Sequence, residues 1–207
     1  MTHDDRPTEN EKLERGAPKL GARFEEALLF ASRKHSGQTR KQTQVPYVAH
    51  LLSVTALVLE AGGDEDQAIA AVLHDVVEDC GGAPVLAEVR ERFGIRVANI
   101  VEGCTDTDTV PKPPWRTRKE YYLRHLREAG EDVRLVSAAD KLHNVRSIVA
   151  DYRYVGEAVW ERFAGRREGT LWYYRAVLDI LLQGSGSRLV DELGRLVLEL
   201  ERIATRP

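Results

Sequence analysis

Apolar residues recur at helical spacing from Leu20 onward, and the breaks between runs divide the chain into segments. Between Leu20 and Lys34, Phe24, Ala27, Leu28 and Ala31 share one face, as in an amphipathic helix. Leu51, Leu52, Val54, Thr55, Leu57, Val58 and Leu59 leave almost no polar face, which predicts a buried helix. Gly62-Gly63 ends it. Asp64 and Gln67 then offer a capping box for a helix expected to run through Ala70-Ala71-Val72-Leu73-His74-Asp75-Val76-Val77-Glu78-Asp79-Cys80. After Gly81-Gly82, Pro84 suits the first turn of a shorter helix to Phe93, and Gly94 separates it from a turn or two over Ile95 to Val101. Residues 103–116 hold three prolines and little periodicity, which predicts a loop. Helical pattern resumes over Arg118 to Ala129, Val133 to Tyr152, Trp160 to Phe163 and Leu171 to Leu182. No stretch alternates with period two and nothing repeats, so the expected fold class is all-α.

Gln183-Gly184-Ser185-Gly186 reads as a hinge or turn, with Ser187 capping a last helix. Its apolar positions Leu189, Leu193, Leu196, Leu200 and Ile203 have heptad-like spacing. Packing against the same domain is the commoner cause of such a seam, and a homodimer is the other reading. The organisation expected is a mobile N-terminal arm over residues 1–19, one domain over 20–182, and a linker with an amphipathic helix over 183–207.

Composition narrows the function classes. The 207 residues suit one sizeable domain, and 43% hydrophobic with 30% charged residues is ordinary for a globular protein. A net charge of −3 gives no global attraction to DNA, RNA or anionic lipid. Cys80 and Cys104 lack CxxC spacing and are too few for a disulfide framework, which fits a reduced cytoplasm. No apolar run is long enough for a membrane span, and the polar N-terminus is unlike a signal peptide.

The chemistry concentrates in the run around His74. On one continuous helix, His74, Asp75, Glu78 and Asp79 would fall within an arc of about 140°. Three carboxylates and an imidazole among apolar neighbours are costly unless a cation neutralises them. His50 heads the apolar Leu51–Leu59 run. Asp140 sits in Ala138-Ala139-Asp140-Lys141-Leu142-His143-Asn144, with Asn144 and Ser147 on the same face within about 60°. Taken singly, His74 can be a satisfied core histidine, Asp75 a partner of local backbone, and Asp140 half of a salt bridge. Taken together on three elements, His50, His74, Asp75 and Asp140 read better as a metal site. Two imidazoles and two carboxylates suit manganese, iron or zinc better than calcium or copper(I).

His50, then His74-Asp75, then a distant Asp140 resembles the H…HD…D pattern of HD-domain metal-dependent phosphohydrolases. His35-Ser-Gly-Gln-Thr-Arg-Lys41, Pro46-Tyr-Val-Ala-His50, Leu73-His-Asp-Val-Val-Glu-Asp79, Thr105-Asp106 before Pro111-Lys112, and Asp140-Lys-Leu-His-Asn144 together resemble the hydrolase domain of the RelA/SpoT family. The resemblance covers residues 20–182 and implies an HD-type helical bundle, of the small alarmone hydrolase type, that removes the 3′-pyrophosphate of (p)ppGpp. It implies one manganese ion on His50, His74, Asp75 and Asp140, with Glu78 and Asp79 activating the attacking water. Arg40, Lys41 and Asn144 correspond to nucleotide contacts, and Ser147 stands where threonine is usual. Lys112, Arg116, Arg118 and Lys119 make the loop basic. Lys112 and Arg118 in particular are candidates to meet the diphosphates, the alternative being a solvated charge run. Leu51 replaces the usual proline after His50, and the loop Thr109-Val-Pro-Lys-Pro-Pro-Trp115 carries an unexpected tryptophan. Those departures leave open another 3′- or 2′-phosphorylated nucleotide, such as NADPH, or a catalytically silent nucleotide-binding regulator.

Overall fold

The computed structural model describes residues 19–107, 111–184 and 186–205, so the expected N-terminal arm lies almost wholly outside the described residues. Among the described residues the fold is all-α, and the β content is one isolated bridge between Thr39 and Pro46. Three helices form the first half of the core: α1 (Ala22–Lys34), α2 (Val48–Glu60) and α3 (Glu65–Leu73). Next come α4 (Val76–Cys80), α5 (Ala83–Phe93), α6 (Ile95–Cys104) and α7 (Trp115–Glu128). The long α8 (Glu131–Val155), a 3₁₀ segment (Gly156–Arg162), α9 (Arg166–Leu181) and α10 (Arg188–Ala204) complete the bundle.

The central element is α3. It packs against α1, α2, α6 and α8, and Ala68 to Leu73 are all fully buried. Ala68, Ala70 and Ala71 are small enough for the neighbouring helices to come close, while Ile69, Val72 and Leu73 fill the space between them. Its start is set as the sequence predicts: Asp64 Oδ1 accepts from the Gln67 amide at 3.0 Å, and Gln67 Oε1 accepts from the Asp64 amide at 2.8 Å. The turn before it demands glycine twice. Gly62 has φ of 83°, and a Cβ on Gly63 would lie 2.6 Å from Val58 Cγ1 and 2.8 Å from the Val58 carbonyl oxygen.

Three expectations need correction. The helix expected through Cys80 is two helices: α3 stops at Leu73, and His74 and Asp75 form the turn before α4. The reason is local competition for backbone. His74 Nδ1 lies 2.7 Å from the Ala71 carbonyl oxygen, the acceptor that a continuing helix would offer to the Asp75 amide. The single arc of His74, Asp75, Glu78 and Asp79 therefore does not exist as drawn. Trp160 lies in a 3₁₀ segment rather than an α-helix, and α7 starts at Trp115, immediately after Pro114 closes the proline-rich loop.

The last helix is part of the bundle. Arg146 and Arg153 on α8 pair with Glu192 and Glu199 on α10, seven residues apart on each, so the two helices run parallel, with α9 between them in chain order. Leu189, Leu193 and Leu200 are buried, and Leu196 and Ile203 pack against the same core. The heptad-like seam thus closes its own domain, and the seam itself offers no free dimer face. No helix among the described residues is long and apolar enough to cross a membrane.

Candidate active site

Four side chains converge where α2, the α3–α4 turn and α8 meet. His50 Nε2 lies 3.2 Å from Asp140 Oδ1 and 3.5 Å from Asp75 Oδ2. His74 Nε2 lies 3.1 Å from Asp75 Oδ2 and 3.7 Å from Asp140 Oδ1. The ligand atoms of His50, His74 and Asp140 all fall within 4.8 Å of one another, and all three residues are buried. The break after Leu73 is what makes this possible. Consecutive helical residues point about 100° apart, whereas the turn brings His74 and Asp75 to one point.

The donor set fits a divalent cation. His74 Nε2 is buried without a hydrogen-bond partner, while Nδ1 faces the Ala71 carbonyl and so carries the proton in the neutral ring. The free lone pair then points at the two carboxylates, as a metal-ligating imidazole must. Burial pushes the Asp75 and Asp140 carboxyls up. The charge of His74 beside Asp75, and of Lys141 beside Asp140, outweighs it and holds both well below the usual range. Burial opposes a charge on His74, yet Asp75 and Asp140 hold that imidazolium well above its ordinary value. A proton on His74 and a divalent cation are alternative partners for the same carboxylates, so metal uptake displaces the proton.

A second ring of side chains orients these four. The Tyr47 hydroxyl donates to Asp75 Oδ2 at 2.6 Å, and His143 Nδ1 meets His50 Nδ1 at 2.8 Å. Asp140 accepts from the Lys141 ammonium on Oδ2 and from the Asn144 amide on Oδ1. Lys141 is buried, and its ammonium lies 4.8 Å from the Tyr122 ring centroid. Burial and the charge of His50 hold His143 down at about 4, so at neutral pH it is an uncharged partner for His50. Neither Tyr47, Lys141 nor His143 was assigned a role from sequence. Tyr47 precedes His50 by three residues and His143 follows Asp140 by three, the spacing that places side chains on one helical face.

Glu78 and Asp79 lie one turn beyond Asp75, on α4. Lys112 bridges them, with Nζ 2.9 Å from Glu78 Oε1 and 3.8 Å from Asp79 Oδ1. Gln38 donates to Asp79 Oδ2 at 2.8 Å and is itself held by His35, whose Nδ1 is 2.7 Å from Gln38 Oε1. Burial and the negative charge of Asp106 push the Glu78 carboxyl up, with the Lys112 hydrogen bond opposing them. Arg118 and Lys119 are tied to buried Asp106, at 2.6 Å and 2.7 Å from Oδ2. Arg116 is turned away: its guanidinium lies 3.3 Å from the Trp172 ring centroid and pairs with Glu120.

His50, Asp75, Asp140, Glu78 and Asp79 all line one cavity of about 620 Å³, with His74 buried behind them. Arg40, Lys41, Asn144, Ser147, Lys112 and Arg118 all line it, so the residues expected to face a nucleotide share one space. Arg40 donates to Asn144 Oδ1 at 2.8 Å, which links the loop after α1 to Asp140 through Asn144. Ser147 donates to the His143 carbonyl oxygen at 3.0 Å. Arg162, Trp115, Tyr173 and Tyr174 also line the cavity and were not singled out for it by pattern. Seven basic against five acidic side chains line the wall, an excess that one divalent cation doubles, which suits a polyanionic ligand.

The model of the HD domain matches residues 27–171. The chain belongs to the HD-domain family. Within that family, the chain is 40% identical over 126 residues to the guanosine-3′,5′-bis(diphosphate) 3′-pyrophosphohydrolase MESH1 of Xenopus tropicalis, covering 59% of this chain and 68% of that one. Human MESH1 is 37% identical over 130 residues, covering 61% of this chain and 70% of its own. The Aquifex aeolicus guanosine-3′,5′-bis(diphosphate) 3′-pyrophosphohydrolase is 37% identical over 141 residues, of which the match spans 67% of this chain and 19% of the longer relative. A solved structure described as a metazoan ortholog of SpoT that hydrolyzes ppGpp superimposes with a TM-score of 0.73 at 29% identity, covering 88% of this chain and 98% of that one. The HD-type bundle extends past the matched segment: α10 lies outside residues 27–171 and still packs into the core.

Proposed function

We propose that this HD domain is a (p)ppGpp 3′-pyrophosphohydrolase, yielding GDP or GTP and pyrophosphate, with manganese as its cofactor. The observation that carries this reading is the convergence of His50, His74, Asp75 and Asp140 beside the Glu78–Asp79 pair on one basic cavity. His50, His74, Asp75 and Asp140 would hold one divalent ion, which when bound polarises a phosphate oxygen and makes water more acidic. Glu78 receives the proton of the attacking water. Its raised carboxyl is a stronger base than an exposed glutamate, and the Lys112 hydrogen bond favours its ionised form. Asp79, held by Gln38, orients the same water.

The remaining side chains bind and orient. Arg40 reaches the nucleotide from the loop, where a guanidinium can stack on a purine or fork onto phosphate. Asn144 keeps Asp140 and Arg40 in register, Lys41 supplies an exposed charge, and Ser147 contributes a hydroxyl from the next turn of α8. Lys112 and Arg118 line the cavity with acidic partners behind them, Glu78 and Asp106, and offer their remaining N–H groups to the phosphate oxygens of the substrate.

The test is a hydrolysis panel with manganese-loaded protein, comparing ppGpp and pppGpp with NADPH and other 2′- or 3′-phosphorylated nucleotides, and elemental analysis of the purified chain. Release of pyrophosphate from ppGpp with little turnover of the others is the expected result. Glu78→Ala should retain the metal and lose about 10²–10⁴ in kcat. Asp140→Ala should lose metal and turnover together. Near-normal kcat in the Glu78 variant, or no pyrophosphate from ppGpp, contradicts the reading.

A further inference from the structure

The proline-rich loop carries a tryptophan whose surroundings are shaped for it. Trp115 packs its ring against two glycines at the start of α9. A Cβ on Gly165 would come 2.6 Å from Trp115 Cη2, and one on Gly169 would come 3.0 Å from Cζ3. Trp172 and Tyr173 meet the same ring edge-on, at centroid distances of 6.2 Å and 6.4 Å. An indole in that slot has little freedom to slide or turn. Two residues connect it to Lys112, and both are proline. Pro114 has φ of −50° and ψ of 142°, close to polyproline II, and each ring locks its own φ. At about 3.1 Å per residue, Lys112-Pro113-Pro114-Trp115 is a short stiff spacer with an anchor at one end. At the other end Lys112 Nζ sits 2.9 Å from Glu78 Oε1.

We propose that Trp115 is a positioning residue: seated in the Gly165–Gly169 slot, it sets Lys112 against Glu78 and Asp79 through the two prolines. A lysine on a flexible loop would sample many positions, with the rotamer freedom of its own four-carbon stem added to that of the backbone. Fixing the backbone from which the stem departs keeps the ammonium at the carboxylate pair, where it opposes the upward push of burial on Glu78. The inference rests on the role proposed above for Glu78. The tryptophan, the two prolines and the two glycines then form one device.

Kinetics of Trp115→Ala and of Pro113→Gly/Pro114→Gly test it, each alone and combined with Lys112→Ala, in full-length manganese-loaded protein. The double glycine variant matters because it leaves the indole in its slot and removes only the stiffness. Each is expected to lower kcat/KM about tenfold, and neither to lower it further once Lys112 is alanine. Trp115→Phe should recover part of the loss, and Gly169→Ala, which displaces the ring without removing it, should reproduce it. Independently of turnover, acetylation of Lys112 followed by peptide mass spectrometry should quicken severalfold in both variants, because its ammonium is no longer held at Glu78.

Losses that multiply with Lys112→Ala, or wild-type kinetics in the double glycine variant, overturn the proposal. Unchanged Lys112 acetylation also overturns it, whatever the substrate is. Faster acetylation in a protein that hydrolyses no alarmone would instead uphold the anchor and refute the proposed function.

Discussion

Asp106 is a single carboxylate holding two cations below the cavity wall, and removing it tests whether charge pairing there is a structural necessity. It is buried, and its Oδ2 accepts from Arg118 at 2.6 Å and Lys119 at 2.7 Å. In Asp106→Ala the two cations fare differently. Arg118 already lies 3.9 Å from Glu78 and can turn to it. Lys119, with 19% side-chain exposure and Lys141 pressing on it with like charge, keeps only the more distant charge of Glu78 and the Tyr173 ring 4.9 Å away. Breaking a buried pair by deleting one partner costs about 3–5 kcal/mol, and the residual exposure of Lys119 places this case near the lower end, about 3 kcal/mol. For a domain of this size that corresponds to roughly 6–12 °C in Tm.

The assay is urea and thermal unfolding of Asp106→Ala beside the wild type. The Asp106→Ala/Lys119→Met double variant, which removes the stranded charge, should recover most of the loss. The pH dependence has a definite sign. Burial raises the Asp106 carboxyl, but Lys119 and Arg118 more than offset this and hold it below its ordinary value. A depressed folded pKa stabilises fully above the unfolded value of about 3.9 and ceases to do so as pH falls through the folded one. The gap between wild type and Asp106→Ala should therefore narrow as pH falls below about 4. A variant within about 1 kcal/mol of wild type at neutral pH, or a double variant no more stable than the single, would refute the reasoning.

Three other outcomes are expected. His143→Ala removes the partner of His50 Nδ1 and should weaken metal binding about 10–100-fold by calorimetric titration, and unchanged affinity would mean that His50 needs no such orientation. Stripping the metal with chelator should lower stability by about 2.7 kcal/mol relative to protein held at a hundred times its dissociation constant, read as a Tm that rises with metal concentration. Phe93→Ala, at a buried contact 5.7 Å from the Phe30 ring, should cost about 3–5 kcal/mol in urea unfolding, and a smaller loss would show that α1 and α5 collapse into the space.

The elements were legible because each carries its own local code. The capping box of Asp64 and Gln67, the Ser187 cap and the glycine stops need only a few neighbouring residues to act, and they stand where the spacing predicts. The candidate site residues were legible for a related reason: polar groups at apolar positions are costly, so His50, His74 and Asp140 stand out without coordinates. The turn at His74–Asp75 was not legible. Its apolar pattern continues in helical register, and what breaks the helix is a ring-to-carbonyl contact that competes with backbone bonding on nearly equal terms.

By itself, then, the sequence determined the helices, their caps and the kinds of atom at the site, since these depend on propensity and spacing within one turn or two. Only the tertiary structure decided which polar groups pair with which. Lys141 on Asp140, Lys112 on Glu78, Lys119 on Asp106 and His143 on His50 were all visible as residues and invisible as pairs. Three of those four pairs join residues at least thirteen positions apart, and even Lys141 beside Asp140 owes its partner to burial that other helices impose. Charge pairing falls off with distance in space, and distance along the chain does not reveal it.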